Sequence, residues 1–225
     1  ARFTLLDCLR KSRDYELFCV GDDWQSIYRF AGSDIGFILN FAKYWDATEV
    51  SKIETTYRFS QKLIEISGGF IMQNPVQIKK SIRGKSEDFG FPLGEISGYT
   101  DKYAIEFMSK KLNDISKGSS VFFIGRYSFD AKLLNDSGLF SCQYNNTSGF
   151  IDVKVKSRPD LNMVFLTAHK SKGLQADYVF IINNKNSRMG FPSKIQDAPI
   201  LDLLLDNCDQ YPHAEERRLF YVALT

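Results

Sequence analysis

Hydrophobic and polar residues follow two alternating patterns along this chain. Continuous apolar runs such as VFFIG and YVFII are typical of buried strands, and apolar positions spaced three to four residues apart are typical of helices. The runs predict strands at residues 15–22, 49–59, 95–99, 119–127, near Cys142, at 162–167 and at 177–183. The periodic segments predict helices at residues 3–13, 34–45, after an N-cap at Ser60, at 103–115, 130–136 and from about His213.

The order of these elements predicts the fold class. Strands and helices alternate, and several strands are apolar throughout, which indicates a mostly parallel α/β sheet with helices on both faces. Residues 73–94 contain Pro, Gly and charged residues without periodicity, so they are predicted to form a loop.

Composition narrows the class of protein. The 225 residues are 44% hydrophobic and 25% charged, which predicts a soluble globular protein of one large or two small domains. A net charge of +2 does not decide whether nucleic acid binds. No apolar run reaches the roughly 18 residues of a membrane span, and the N-terminus lacks a signal-peptide pattern. The four cysteines, Cys8, Cys19, Cys142 and Cys208, lack the C-x-x-C spacing of a zinc site, so we expect no metal site. We also expect their thiols to be reduced, as in a cytoplasmic protein.

The stretch VGDDWQSIYRFAG carries the first candidate chemistry. Two acids and an amide, Asp22, Asp23 and Gln25, follow a predicted strand, where an α/β sheet usually faces a ligand. Tyr28 and Phe30 then flank an arginine, a pattern that holds unpaired nucleic-acid bases. The plain alternatives are that the acids cap the strand and that Phe30 belongs to the core.

Other charged residues also have plain alternatives. Tyr57 and Arg58 fit a solvated surface as well as a site. Arg126, at the end of a predicted strand, is a candidate contact to a DNA phosphate, with a surface charge as the equal alternative. Taken alone, Arg217 and Arg218 are expected to pair with the preceding glutamates on an exposed helix face.

Four stretches in a fixed order favour functional roles for these residues over the plain alternatives. They are GDDWQSIYRF, TTYRFS, TAHKSKGLQAD and EERRLFYVALT. Together they resemble the later motifs of UvrD/Rep-type DNA helicases, and the resemblance extends over nearly the whole chain. Trp24 stands where most relatives carry Asp, and Gln175 stands where many carry Glu.

The resemblance implies a RecA-like fold of the P-loop NTPase type that lacks the half bearing the phosphate loop. No G-x-x-x-x-G-K-[ST] motif occurs, and both chain ends lie within helical patterns, so we expect a piece of a longer protein. Residues 1–45 are expected to be the C-terminal tail of the first RecA-like motor domain. Residues 46–225 are expected to be the second, truncated in its last motif.

The resemblance also implies roles at the nucleotide. Gln25 matches a glutamine that senses the γ-phosphate of ATP, and Arg58 matches an arginine that reaches the same phosphate from the second motor domain. Tyr57 matches a tyrosine that stacks on adenine. Gly173 and Gln175 match positions near the nucleotide, with Gln175 close to the ribose.

A second set of residues is implied at DNA. Tyr28 and Phe30 match aromatics that lie against single-stranded bases. His169 matches a DNA contact, and Thr167 and Lys172 belong to the same basic turn.

The function implied is part of an ATP-dependent helicase that moves three-to-five-prime along single-stranded DNA. The implied cofactors are ATP and Mg²⁺, with the Mg²⁺ ligands upstream, so the isolated chain is expected to be inactive. The implied partners are single-stranded DNA, junctions of single- and double-stranded DNA, and the first motor domain in the same protein. Three alternatives stay open: a nucleic-acid-binding module without a motor, the motor part of a helicase–nuclease, and a plain α/β interaction domain.

Overall fold

The structure is a computed structural model that describes residues 2–13, 15–45, 48–86, 90, 92–196, 198–205 and 209–225. Cys208 and residues 46–47, at the predicted domain boundary, lie outside the described residues. The helices are α1 (Arg2–Ser12), α2 (Gly36–Leu39), α3 (Phe41–Trp45), α4 (Gln61–Ile71), α5 (Asp101–Lys111), α6 (Ala131–Asp136), α7 (Ala168–Ser171), α8 (Pro199–Leu204) and α9 (Ala214–Leu224). The strands are β1 (Thr55–Ser60), β2 (Arg83–Ser86), β3 (Ser120–Gly125), β4 (Phe140–Tyr144), β5 (Ile151–Val155), β6 (Asn162–Thr167) and β7 (Tyr178–Ile181).

The main sheet has the strand order β4-β5-β6-β3-β7. Its centre is parallel: β3 pairs with β6 on one side and with β7 on the other. The β4 and β5 strands join antiparallel, and β5 is antiparallel to β6. The predicted α/β class is therefore confirmed, with a sheet that is mixed at one edge.

Helices cover both faces of this sheet, as the apolar runs predict. Val121 and Phe123 of β3 belong to a core with α5 and α6, whereas Ile124, on the opposite face, belongs to a core with α9. Because successive side chains of a strand point to opposite faces, an uninterrupted apolar run serves both cores.

The predicted strand at residues 15–22 is not formed. This segment has no regular secondary structure, and Phe18 is 90% exposed. A strand requires a neighbour for its backbone hydrogen bonds, and within the described ranges none pairs with it. The prediction at 95–99 is also wrong, because that segment forms no strand.

Two strands were not predicted. β2 lies within the predicted loop 73–94 and pairs with β1 in parallel, with Thr56 opposite Gly84. Gly84 is required there, since a Cβ atom would lie 2.9 Å from the backbone nitrogen of Gln61. The other strand, β5, has alternating burial that matches its IDVKV sequence, a period-two signal that could have identified it.

Three predicted elements form with altered details. The helix predicted at 34–45 breaks at Asn40 into α2 and α3. The strand predicted at residues 177–183 forms as β7. It is an edge strand of the sheet rather than a buried one, and Tyr178 and Val179 are exposed. Ser60 stands at the N-cap of α4, but its side chain makes no capping bond. No helix in the described parts of the chain has both the length and the apolarity needed to cross a membrane.

Candidate functional site

Gln25 lies in a short 3-10 helix, Asp23–Gln25, that Asp22 caps. The Asp22 carboxylate accepts the Trp24 backbone N–H at 3.0 Å and the Gln25 side-chain amide at 2.6 Å. Trp24 is buried, and its indole N–H donates to the carbonyl oxygen of Ile78 at 3.0 Å. The Gln25 amide is thus held by a neighbouring carboxylate, and Asp22 caps a helical turn rather than a strand.

Four side chains from two distant segments form one surface, which we call the aromatic platform: Tyr28, Phe30, His169 and Lys172. The rings of Phe30 and His169 are 5.2 Å apart and nearly perpendicular. Tyr28 lies 6.0 Å from the Phe30 ring and 6.1 Å from the His169 ring. Phe30 is 58% exposed, so it does not belong to the core. Fully or partly exposed rings beside a cation are suited to stacking on bases.

Lys172 joins this platform to the Gln25 turn. Its ammonium donates to the Gln25 backbone carbonyl at 3.0 Å and lies 5.2 Å from the centre of the Tyr28 ring. The two contacts span residues that are more than a hundred positions apart in sequence. Lys172 therefore connects the Gln25 backbone directly to the platform.

His169 is neutral at physiological pH. The pKa of its imidazole is lowered to about 4, mainly by burial and also by the nearby Arg126 charge, and a hydrogen bond to the Ile27 backbone opposes both effects. A neutral imidazole can stack and hydrogen-bond but adds no positive charge. The positive charge of the aromatic platform comes from Lys172.

Arg126 is already engaged by a carboxylate. Its guanidinium binds Glu216 through Nε at 2.9 and 3.1 Å and through a terminal nitrogen at 2.8 Å. Glu216 also accepts the backbone N–H of Ser193 at 2.8 Å. This bidentate pair borders an open cleft of about 450 Å³ that Phe30 and His169 also line.

The arginines of α9 do not form the predicted exposed pairs with the preceding glutamates. Arg218 is 4% exposed; it forms a buried ion pair with Asp209 and donates to the Ser26 carbonyl oxygen at 2.6 Å. Arg217 instead donates to Gln73 at 2.9 Å. Glu215 accepts the Arg29 backbone N–H at 2.9 Å. The prediction is wrong because α9 packs against the Gln25 turn.

Tyr57 and Arg58 lie on β1, away from these contacts. Tyr57 is 77% exposed, and Arg58 is exposed as well. Among the residues described, the Arg58 side chain forms no hydrogen bond or ion pair, and its backbone N–H donates to Thr56 at 3.3 Å. Both side chains are free to meet a ligand.

The remaining predicted residues lie around α7. Thr167 ends β6 and is the N-cap residue of α7, without a side-chain capping bond. Gly173 follows α7 with φ of +83°, a left-handed conformation that favours glycine. Gln175 is exposed.

The structure therefore brings together Tyr28, Phe30, His169 and Lys172, with Gln25 linked to them through its backbone. Tyr57 and Arg58 are not in contact with this group. Sequence reasoning missed Asp209 as the partner of Arg218, and it paired Glu216 with the α9 arginines rather than with Arg126. Within the described ranges, no group of three or more His, Cys, Asp or Glu residues could hold a metal ion.

Two family models match the chain. Residues 1–46 match the UvrD/REP helicase N-terminal domain, and residues 152–225 match the UvrD-like helicase C-terminal domain.

Curated relatives agree with these matches. DNA helicase IV of Escherichia coli (strain K12) is 32% identical over the whole chain, which spans 30% of that relative. DNA helicase II of Haemophilus influenzae is 28% identical over 44% of the chain and 13% of the relative. ATP-dependent DNA helicase PcrA of Bacillus subtilis (strain 168) is 27% identical over 46% of the chain and 14% of the relative. The chain thus spans less than a third of each of these proteins.

Proposed function

The chain belongs to the UvrD/Rep helicase family, and we propose on that premise that it is part of an ATP-dependent DNA helicase that moves along single-stranded DNA. Its α/β sheet with helices on both faces is the RecA-like fold of this family. We propose that residues 1–45 end the first motor domain and that residues 46–225 form most of the second. Three-to-five-prime travel, preference for junctions of single- and double-stranded DNA and a cytoplasmic location belong to the same proposal.

The aromatic platform is the observation that carries this proposal. Tyr28 and Phe30 come from one motif and His169 and Lys172 from another, yet their rings and charge share one exposed surface. Stacking accepts any base, which suits a protein that must move past every sequence. Lys172 adds a positive charge that attracts the phosphate backbone.

The proposed nucleotide contacts are Gln25, Tyr57 and Arg58, with Gly173 and Gln175 nearby. Tyr57 would stack on adenine. Arg58 has the free guanidinium that is needed to bind a γ-phosphate oxygen when the motor domains close. Gln25 can exchange its bond to Asp22 for a bond to phosphate, since an amide serves either partner without a change of charge.

The remaining DNA assignments are Thr167 and Arg126. Thr167 lies beside His169 at the start of α7. Arg126 is paired with Glu216. We therefore propose that it contacts a DNA phosphate only through the side of its guanidinium that does not face Glu216.

Mg²⁺ does not fit the acids next to Gln25. Asp22 and Asp23 both form ion pairs with Lys80, and Asp23 is 1% exposed. Helicase chemistry on ATP requires a metal and a phosphate cradle. We therefore assign both to the part of the first motor domain outside residues 1–45, and on this proposal the chain alone does not hydrolyse ATP.

Replacing Phe30 with alanine in the whole protein is expected to weaken binding of an oligo-dT strand by about 5- to 150-fold. The reason is that a stacked base contributes about 1–3 kcal/mol. Fluorescence anisotropy titrations at one fixed salt concentration measure the change. Phe107→Ala is the matched control, because Phe107 is also a partly exposed phenylalanine but lies on α5. Equal affinities of wild type and Phe30→Ala would reject the platform as a DNA site.

Replacing Tyr57 with alanine is expected to raise the KM for ATP roughly tenfold or more, since adenine loses its stacking partner. The kcat and the affinity for oligo-dT are expected to stay at wild-type values. Tyr144→Ala is the control, because Tyr144 is an exposed tyrosine on β4. An unaltered KM would reject the stacking of Tyr57 on adenine.

A further inference from the structure

Lys80 lies in the segment that follows α4, and it makes close contacts with the turn that carries Gln25. Its ammonium forms ion pairs with both Asp22 and Asp23, the second at 2.7 Å. The same nitrogen lies 4.7 Å from the centre of the Trp24 ring. Three consecutive side chains of the turn therefore surround one cation.

The Asp22 carboxylate links this cation to Gln25. One of its oxygens binds Lys80, and the other accepts the Gln25 side-chain amide at 2.6 Å. If Lys80 were removed, the Asp22 carboxylate would lose its charged partner and would be held only by the Trp24 backbone N–H and the Gln25 amide. The orientation of the carboxylate, and of the amide bound to it, would then be less restricted.

The segment around Lys80 is itself fixed to the turn. The Ile78 backbone N–H donates to the buried carboxylate of Asp23 at 2.8 Å, and the Ile78 carbonyl accepts the Trp24 indole N–H at 3.0 Å. These bonds hold the backbone near Lys80 at a constant distance from Asp22. The lysine thus has a rigid base for a role in orientation, which a mobile surface ion pair lacks.

Lys80 also compensates the negative charge of the turn. Two carboxylates beside a γ-phosphate sensor would repel the polyanionic nucleotide if they were left uncompensated. Lys80 neutralises one charge and fixes the other. Its side chain is partly buried against the turn.

We infer that Lys80 is a positioning residue for ATP hydrolysis, which orients the Gln25 amide through Asp22. This inference depends on the proposed role of Gln25 at the γ-phosphate. Small errors in the placement of a catalytic contact can cost about 10²-fold in rate. The loss of Lys80 should therefore lower kcat and leave adenine binding, which involves β1, unchanged.

A double-mutant cycle in the whole protein tests the inference, with DNA-stimulated ATP hydrolysis as the readout. Lys80→Met is expected to lower kcat by about 10- to 100-fold with little change in KM for ATP or in affinity for oligo-dT. Lys80→Arg keeps the charge and is expected to restore most of the rate. Lys79→Met is the matched control, since Lys79 is the adjacent exposed lysine.

The cycle also separates positioning from simple support of the fold. In a Gln25→Ala background, Lys80→Met is expected to cause no further loss, because both substitutions remove the same contact. Losses that multiply, or a Lys80→Met variant with wild-type kcat, overturn the inference. If Gln25→Ala alone leaves kcat unchanged, the proposed role of Gln25 fails and the inference fails with it. If Lys80→Met does not fold at the assay temperature, Lys80→Gln takes its place in the same cycle.

Discussion

Replacing Arg58 with alanine in the whole protein is expected to lower the kcat of DNA-stimulated ATP hydrolysis by about 10³-fold or more. Binding of oligo-dT is expected to stay at the wild-type level. An arginine that reaches the transferring phosphate compensates charge that develops only in the transition state, so its removal acts on kcat. Steady-state ATPase assays and anisotropy titrations measure the two quantities separately.

The structure makes this substitution easy to interpret. Arg58 is exposed on β1, and among the described residues its side chain holds no other group in place. Alanine should therefore leave the fold intact, and the loss can be assigned to chemistry. A thermal unfolding curve of the variant checks this point.

A neighbouring arginine provides the control. Arg83 on β2 is exposed, lies opposite Thr55 in the register and has no assigned role. Arg83→Ala is expected to leave kcat unchanged. Normal turnover in Arg58→Ala, or an equal loss in Arg83→Ala, would contradict the role assigned to Arg58.

The central sheet was predictable because its strands are apolar on both faces. The VFFIG run of β3 and the MVFLT run of β6 are typical of strands that are covered on both faces. The strand β2 was missed because its RGKS sequence has no apolar residue; its backbone pairing with β1 and the close packing of Gly84 on α4 form it. The prediction for residues 15–22 was wrong for the opposite reason, since its apolar residues find no strand to pair with in the described part of the chain.

The candidate site was predictable only where motif order indicated it. The residues of the aromatic platform follow from two motifs, and the structure brings their rings within about 6 Å. The partners that fix these motifs were not predictable. Lys80 and Asp209 lie in loops where neither periodicity nor spacing marks them, and helix spacing assigned Glu216 to the α9 arginines although it binds Arg126. Such long-range polar pairs depend on how the elements pack, and that information is absent from local sequence patterns.

Arg218→Met tests the most deeply buried of these pairs and is expected to destabilise the folded protein by about 3–5 kcal/mol. That is a large part of the roughly 5–15 kcal/mol that stabilises a typical domain. Arg218 and Asp209 are both almost fully buried, and Asn74 donates to the same carboxylate at 2.9 Å. Without the guanidinium, Asp209 would keep a buried charge, and among the described residues Asn74 would be its one remaining side-chain donor. Native-state hydrogen exchange of the α9 amides and the thermal transition measure the loss.

Two further variants show whether the pair itself causes the loss. Arg217→Met changes the adjacent arginine, whose bond to Gln73 is exposed, and is expected to have a small effect. The double variant Asp209→Leu with Arg218→Met removes both charges and is expected to be more stable than Arg218→Met alone. If the double variant is less stable than either single one, the buried charge is not the cause.

The position of Arg218 connects this stability to function. Its Nε donates to the Ser26 carbonyl, one residue after Gln25, so the pair with Asp209 anchors α9 to the turn that carries the proposed γ-phosphate sensor. Lys172 holds the Gln25 carbonyl from the platform side, and Lys80 holds Asp22 from the α4 side. Three cations from three segments thus fix a turn of five residues. Arg218→Met should therefore increase hydrogen exchange in this turn as well as in α9, whereas a purely local effect on α9 would leave the turn protected.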